Sequence, residues 1–176
     1  MTGGVGEAQI RDARVEDLPA ITEIYNALLD TTTHEWTEAV HTVAERAEWL
    51  ESQRATGRPA LVAVLDGAVV GWATYGDFRD STRWPGYRFT VEHSIHVRED
   101  CWGRGAGRAL LDGLLARARA DGLRVMVAGI DGANERSIRF HERLGFVEVA
   151  RMPGIGEKFG RRLDLVLMQR EVDPGS

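Results

Sequence analysis

Cysteine is almost missing from this chain: Cys101 is the single thiol in 176 residues. One thiol cannot close an internal disulfide, which fits a reducing compartment and makes a cytoplasmic location the expectation. Long apolar runs are missing as well, since none approaches the ~20 residues needed to cross a bilayer. The opening MTGGVGEAQIRD has neither the basic start nor the apolar stretch of a secretory signal. There is no basic excess either. With 22 Lys and Arg against 27 Asp and Glu the net charge is −5, which argues against a non-specific nucleic-acid binder. Neither nucleic acid nor membrane is expected as a partner. His34, His41, His93 and His96 show no metal-ligand spacing with nearby carboxylates, so no metal is expected. Repeats, low-complexity tracts and linkers are absent, and a chain of this length that is 43% hydrophobic can build one sizeable core. A single domain over residues 8–172 is the expectation.

What is present alternates between two periods. The first Gly-rich residues read as a frayed start, and Ala8 to Ala13 as a short edge strand. Asp17-Leu18-Pro19 reads as a helix start, with Leu18, Ile21, Ile24, Tyr25, Leu28 and Leu29 recurring three or four apart. Residues 30–37 break that pattern, and a second helix is expected over Val43 to Arg54 with Ala47 and Leu50 inward. Ala60 to Leu65 and Val69 to Tyr75 are β-like runs joined through Asp66-Gly67, a hairpin signature. Residues 76–88 form an aromatic, arginine-bearing loop, and Phe89 to Val97 alternates as a strand. A helix follows over Gly105 to Asp121, with Leu110, Leu111, Leu114, Leu115 and Ala118 as its apolar stripe. Strands are expected at Val125 to Ile130, Val147 to Met152 and Leu163 to Met168, and a helix at Asn134 to Leu144. After the opening helices the order is β-β-β-α-β-α-β-β, an α/β domain.

Arg98 to Leu111, REDCWGRGAGRALL, lies between a strand and a helix. Gly103, Gly105 and Gly107 let backbone N–H groups approach a ligand, and the helix N-terminus favours phosphate. Arg104 and Arg108 add full positive charges. An ordinary Gly-rich turn is the alternative for this loop taken alone. GRGAG is not the dinucleotide fingerprint G-x-G-x-x-G, and no Gly-Lys-Ser/Thr follows to make a P-loop. A second segment, NERSIRFHERLGF at 134–146, carries Asn134, Ser137, His141 and Gly145-Phe146.

Together the two segments resemble the GNAT N-acetyltransferase superfamily, whose first loop has the form Q/R-x-x-G-x-G/A and whose second has the form N-x-x-A/S-x-x-x-Y-x-x-x-G-F. The segments IYNALLDTTT (24–33), GDFR (76–79), GYRFTVEHSIHV (86–97) and MPGIGEKFGRRLDLVLMQ (152–169) further resemble one branch. It is that of the phosphinothricin and methionine sulfoximine/sulfone N-acetyltransferases, which acetylate the α-amino group of amino-acid analogues. The resemblance spans Ile10 to Arg170 and implies the GNAT fold, a mixed, mostly antiparallel twisted sheet of about seven strands flanked by about four helices. It also implies acetyl-coenzyme A as co-substrate, a small amino-acid-like acceptor and a homodimer. Three departures stand out: Trp102 where Gln or Arg opens the loop, a longer 76–88 segment, and Arg162 at a position that is commonly Trp.

Acetyl transfer to an ammonium group needs a base, a stabilised oxyanion and a proton for the departing thiolate. Glu92, mid-strand in an apolar setting that raises its proton affinity, is the candidate base, and the resemblance puts a catalytic carboxylate there. The alternative is a glutamate on a solvent-facing strand edge. Alternation sends Thr90, Glu92, Ser94 and His96 to one face and Val91, His93, Ile95 and Val97 to the other, unless a bulge intervenes. By resemblance, the backbone of Glu92, His93 and Ser94 meets the acceptor. The backbone of Ile95, His96 and Val97 binds the pantetheine arm and polarises the thioester. Gly103, Arg104, Gly105, Ala106, Gly107 and Arg108 hold the pyrophosphate, with Asn134 and Ser137 nearer the pantetheine. His141 stands where the superfamily has a Tyr that protonates the thiolate; a surface histidine is the alternative. Arg79 is the candidate partner of the acceptor's carboxylate, in competition with Arg83 and Arg88. A covalent route through Cys101 lacks a nearby activating base, so direct attack in a ternary complex is expected. Acetylation of another amine (a protein N-terminus, a polyamine, an aminoglycoside) and a non-catalytic acyl-coenzyme A sensor are the competing functions.

Overall fold

A computed structural model describes residues 7–173; the expected frayed start falls mostly on residues 1–6, outside the described residues. Eleven regular elements follow one another. They are β1 (Gln9–Asp12), α1 (Leu18–Asn26), α2 (Val43–Ala55), β2 (Ala60–Leu65), β3 (Ala68–Asp77), β4 (Thr90–Val97), α3 (Ala106–Ala120), β5 (Val125–Asp131), α4 (Glu135–Arg143), β6 (Val147–Lys158) and β7 (Arg161–Glu171). The strands form a seven-stranded sheet in the order β1-β2-β3-β4-β5-β7-β6. The β4–β5 pair is parallel, whereas β1–β2, β2–β3, β5–β7 and β6–β7 are antiparallel. This is the open α/β sheet with four helices that the sequence leads one to expect.

The described chain divides into two compact units. The first comprises residues 7–26, 41–75 and 94–117; the second comprises 27–40, 76–93 and 118–173. In the first, β2 and β3 turn through Asp66 and Gly67, at φ 51° and 82°, the left-handed pair that a tight hairpin requires. Leu110, Leu111, Leu114 and Leu115 of α3 are all buried, each stabilising the unit by about 1.5–3 kcal/mol relative to exposure. Asp17 ends the turn before α1 by accepting bonds from Arg11 and from the Arg14 amide. The apolar stripe read from Leu18 onward outlasts its helix: α1 stops at Asn26, and Leu29 is buried from the following turn. On α2, Leu50 is buried as expected, but the second inward side chain is Arg46 rather than Ala47. The Arg46 guanidinium lies 4.2 Å from the Tyr25 ring centroid, with Trp72 at 5.2 Å and Trp49 at 5.5 Å. Aromatic faces offset part of the cost of taking that charge out of water.

In the second unit β6 and β7 run longer than expected, to Lys158 and from Arg161. β6 runs through the MPGIG stretch at 152–156. Here β6 is the edge strand, and the register shifts between Met152 and Gly156. An edge bulge is where a strand tolerates proline and glycine. Arg162 crosses this irregularity and donates to the Gly154 carbonyl at 3.2 Å.

Candidate active site

The first unit holds the glycine loop. The Arg98 amide donates to the Val70 carbonyl at 2.8 Å. Trp102, the departure at the loop's opening, donates its indole N–H to the Val97 carbonyl at 2.8 Å and so ties the loop to the end of β4. Gly103 and Gly105 have φ of 76° and 86°, values that glycine adopts without strain. A Cβ on either would meet nothing within 4 Å, so the loop presents bare backbone on an open side. α3 begins at Ala106, which puts Gly107 and Arg108 in its first turn and aims unsatisfied amides at the same place. Arg104 pairs with Asp66 at 3.2 Å and Arg108 with Asp112 at 3.6 Å. These are surface pairs of the weak kind, so a bound anion has little to displace.

The end of β4 belongs to the same unit. His96 is buried, with its ring 4.7 Å from Trp72 and 5.6 Å from Tyr25. Ser94 is exposed, and Ile95 and Val97 are half-buried. Val91, His93 and His96 are the buried residues of the strand. The β4–β5 register pairs end at Glu92 opposite Val127.

The second unit gathers the ionisable groups. Glu92 is half-buried, and an added Cβ at Gly129 would lie 2.7 Å from its Oε1. A glycine is what leaves that carboxylate room. Burial raises the proton affinity of Glu92, the positive charge of Arg79 opposes that rise, and the negative charge of Glu35 adds to it. Because Glu92 pairs with Val127 in parallel register, Gly129 and Asp131 share its face of the sheet. The loop that carries Glu35 is fastened over that region at three points. Thr33 donates to Asp131, the buried Lys158 donates to the Thr32 and Glu35 carbonyls at 2.8 Å each, and the Trp36 ring lies against Gly156. Nothing in the sequence pattern marked Glu35 or Lys158 for this region, because both depend on contacts more than a hundred residues apart.

Among the candidate arginines, Arg83 lies 5.2 Å from the Trp84 ring and Arg88 lies 4.3 Å from the Phe89 ring while donating to the Pro85 carbonyl. Arg79, 5.5 Å from Phe78, is the one that acts on Glu92. The longer 76–88 segment is tied to itself through Ser81 on Asp77, Thr82 and Arg83 on Asp80, and the Phe78–Tyr87 ring contact at 6.1 Å.

His141 is not a surface residue; it is 3% exposed. Its Nδ1 lies 2.7 Å from the Ser137 carbonyl and its Nε2 lies 3.2 Å from Nε2 of His93, which is also buried. The two imidazoles stack at 5.1 Å, and Phe146 meets both edge-on. Burial lowers the proton affinity of His141, and the Ser137 carbonyl opposes that shift. Asn134 caps α4, its Oδ1 accepting from the Ser137 amide at 3.1 Å. The second unit therefore contains Arg79, Glu92, His93, Asn134, Ser137 and His141. The first contains Ser94, Ile95, His96, Val97 and the whole glycine loop. β4 is the strand that passes from one group to the other. Among the described residues no cluster of three His, Cys, Asp or Glu side chains could hold a metal ion, and no helix is long and apolar enough to cross a membrane.

Residues 21–146 match the model of the acetyltransferase (GNAT) family. The L-methionine sulfoximine/L-methionine sulfone acetyltransferase of Pseudomonas paraeruginosa is 49% identical over 168 residues, covering 95% of this chain and 96% of its own. An L-amino acid N-acyltransferase of Escherichia coli is 44% identical, covering 93% of this chain and 94% of its own. A phosphinothricin acetyltransferase from Sinorhizobium meliloti, solved in complex with acetyl-coenzyme A, superposes with a TM-score of 0.90 at 39% identity, over 97% of this chain and 91% of that one.

Proposed function

The chain belongs to the GNAT acetyltransferase family and is an acetyl-coenzyme A-dependent N-acetyltransferase, and on that footing we propose that it acetylates the α-amino group of a small amino acid or analogue of the methionine sulfone, methionine sulfoximine or phosphinothricin type. The observation that carries the proposal is the half-buried Glu92 carboxylate beside Gly129, with Arg79 and Glu35 acting on it from opposite charges. That set suits a zwitterion. Glu92 takes a proton from the acceptor's ammonium group, and the Arg79 guanidinium binds its carboxylate or phosphinate in a two-pronged pair. The freed amine then attacks the thioester directly, in a ternary complex.

Acetyl-coenzyme A is the acyl donor. Backbone amides at Gly103, Gly105, Ala106 and Gly107, with Arg104 and Arg108, hold its pyrophosphate. The backbone of Ile95, His96 and Val97 binds the pantetheine arm and polarises the thioester carbonyl. Asn134 spends its Oδ1 on the helix cap, so what it offers the pantetheine is its amide N–H groups. The histidine pair 93/141 supplies the proton that the departing thiolate needs. The backbone of Glu92, His93 and Ser94 meets the acceptor. The proposal includes one acetyltransferase domain over residues 8–172, a cytoplasmic setting consistent with the lone buried Cys101, and a homodimer. The homodimer is supported by Val147, Val149, Met152 and Ile155 exposed along the edge strand β6.

A free-thiol assay with acetyl-coenzyme A and a panel of amino acids, with their sulfone, sulfoximine and phosphinic analogues, tests this reading. Release of coenzyme A with the sulfone or phosphinic compounds is expected. Tight acetyl-coenzyme A binding with no thiol released from any acceptor would instead identify a sensor module.

A further inference from the structure

Lys158 is buried although it ends the edge strand β6. Phe159 and Gly160, at φ 52° and 68°, turn the chain tightly there, so that Arg161 of β7 stands opposite Lys158. The loop segment 32–36 lies against this hairpin tip. Lys158 Nζ donates to the carbonyls of both Thr32 and Glu35 at 2.8 Å, and it lies 4.8 Å from the Phe159 ring. A buried ammonium is costly unless it is hydrogen-bonded, and a methionine could fill such a space without that cost. What the cation adds is two charge-assisted bonds, each roughly twice as strong as a neutral one, and both go to one loop. Two further contacts hold the same segment. A Cβ at Gly156 would overlap the Trp36 ring, and Thr33 donates to Asp131 at the end of β5. Between α1 and α2 the chain forms neither helix nor strand, so these contacts fix the position of the segment.

The segment is held on the face that Glu92 occupies. Glu92 pairs with Val127, and its Oε1 fills the space over Gly129. Asp131, which Thr33 engages, stands two residues further along that face, roughly 7 Å away. Burial raises the proton affinity of Glu92, Arg79 opposes the rise and Glu35 adds to it. Asp131 also accepts from the Ala133 amide at 3.1 Å, and β7 contributes the uncharged Leu165 beside Gly129. His93, next on β4, turns to the other face and meets His141.

We propose that Lys158 is a positioning residue of the acetyl-transfer site: by holding the Thr32 and Glu35 carbonyls it straps segment 32–36 over the end of β5 and keeps the Glu35 carboxylate near Glu92. The inference rests on the reading of Glu92 as the base and names what tunes it. A base that deprotonates an ammonium group works best with a proton affinity near the working pH. A loop carboxylate helps to set that affinity only while its loop is held. The sign of the effect separates this role from direct action of the Lys158 charge. Losing a positive charge that acted through space can only raise the proton affinity of a carboxyl group. Releasing the strap removes a negative charge and admits water, and both changes lower it.

Carboxyl ¹³C titration of glutamate-labelled protein, with the Glu92 signal assigned through Glu92→Gln, tests this in the free enzyme and needs no acceptor. Lys158→Met should move the Glu92 midpoint down by on the order of half a pH unit. Glu35→Gln should lower the midpoint in the wild-type background and change it little in Lys158→Met, where the released strap no longer holds residue 35 in place. An unchanged or raised midpoint in folded Lys158→Met overturns the proposal. So does a Glu35→Gln shift of equal size in both backgrounds. Gly156→Ala reaches the strap by a second route, displacing the Trp36 ring with Lys158 intact, and should lower the midpoint by a smaller amount. If Lys158→Met does not fold, a wild-type midpoint in Gly156→Ala overturns the proposal instead. In turnover, Lys158→Met should raise the acceptor KM several-fold and move the acidic limb of kcat/KM to lower pH, with acetyl-coenzyme A affinity unchanged. A limb that coincides with that of wild type contradicts the assignment. A lowered Glu92 midpoint in an enzyme that turns over no amino acid would uphold the strap and remove the acceptor reading.

Discussion

In the first unit the groups proposed for the coenzyme lie in one stretch of chain, residues 95–108, and would act mainly through the backbone. In the second, Glu35, Arg79, Glu92 and His141, the groups proposed for the chemistry, arrive from separate segments and would act through their side chains. The difference has physical consequences. A backbone cradle needs only φ values that glycine supplies, as at Gly103 and Gly105, and surface arginines whose existing partners are weak. A charge site needs room, burial and a fixed electrostatic balance. Here these come from Gly129 beside Glu92, from the loop fastened by Lys158, and from Arg79 set against Glu35. Damage to the cradle should therefore weaken cofactor binding, whereas damage to the charge site should slow chemistry or alter acceptor recognition.

The largest effect is expected at Glu92. Glu92→Gln keeps the shape and removes the base, so turnover should fall on the order of 10²–10⁴-fold while acetyl-coenzyme A affinity by calorimetry stays unchanged. A loss of only a few-fold across a pH series would take Glu92 out of that role. Gly105→Val comes next, because a β-branched residue at φ 86° is strained and covers the open backbone. Its acetyl-coenzyme A affinity should drop by roughly 10–100-fold, equivalent to one or two lost charge-assisted bonds. Unchanged affinity in a folded variant would remove the cofactor from this loop. Arg79→Lys keeps the charge and loses the fork, so the acceptor KM should rise several-fold with acetyl-coenzyme A binding intact.

Smaller shifts follow from the Glu92 environment. Its proton affinity is raised first by burial and then by Glu35, so the acidic limb of kcat/KM should lie above the usual carboxylate range. Removing one of the two causes, in Glu35→Gln, should move that limb to lower pH. A limb that stays put would mean Glu35 does not act on the base. For stability the sign is fixed by the same shift. A carboxyl whose folded pKa lies above its unfolded value favours folding below the unfolded pKa, and that contribution is lost as pH rises through the folded pKa. Glu92→Gln should therefore raise the Tm at neutral pH, with the gain vanishing as the pH falls to the ordinary carboxylate range.

How much of this could be read in advance follows the same divide. The succession of elements along the chain, the α3 stripe of Leu110, Leu111, Leu114 and Leu115, and the Asp66-Gly67 hairpin are encoded by neighbours a few residues apart, and a linear pattern exposes them. The glycine loop is likewise local. Arg46 escapes because a 3.6-residue period carries no information about the Tyr25, Trp49 and Trp72 rings that make its burial tolerable. The His93–His141 contact joins residues 48 apart, and alternation alone placed His93 on a face without naming its partner. The expected strand over Val147 to Met152 falls short of β6, since only an edge position with a register shift lets a strand run on through Pro153 and Gly154. Trp102 and Arg162, both unusual against the family pattern, prove to be local fasteners, one on Val97 and the other on Gly154.

The central claim is that the charge site reads a zwitterionic acceptor. Methionine sulfone and its decarboxylated amine test it most directly, because they present the same sulfone and the same reactive nitrogen and differ only in the carboxylate assigned to Arg79. With both measured by coenzyme A release, the amine should show a sharply lower kcat/KM in the wild type, and the gap should narrow in Arg79→Lys. Equal or better turnover of the amine by the wild-type enzyme would contradict the amino-acid assignment and point to a polyamine-type acceptor instead.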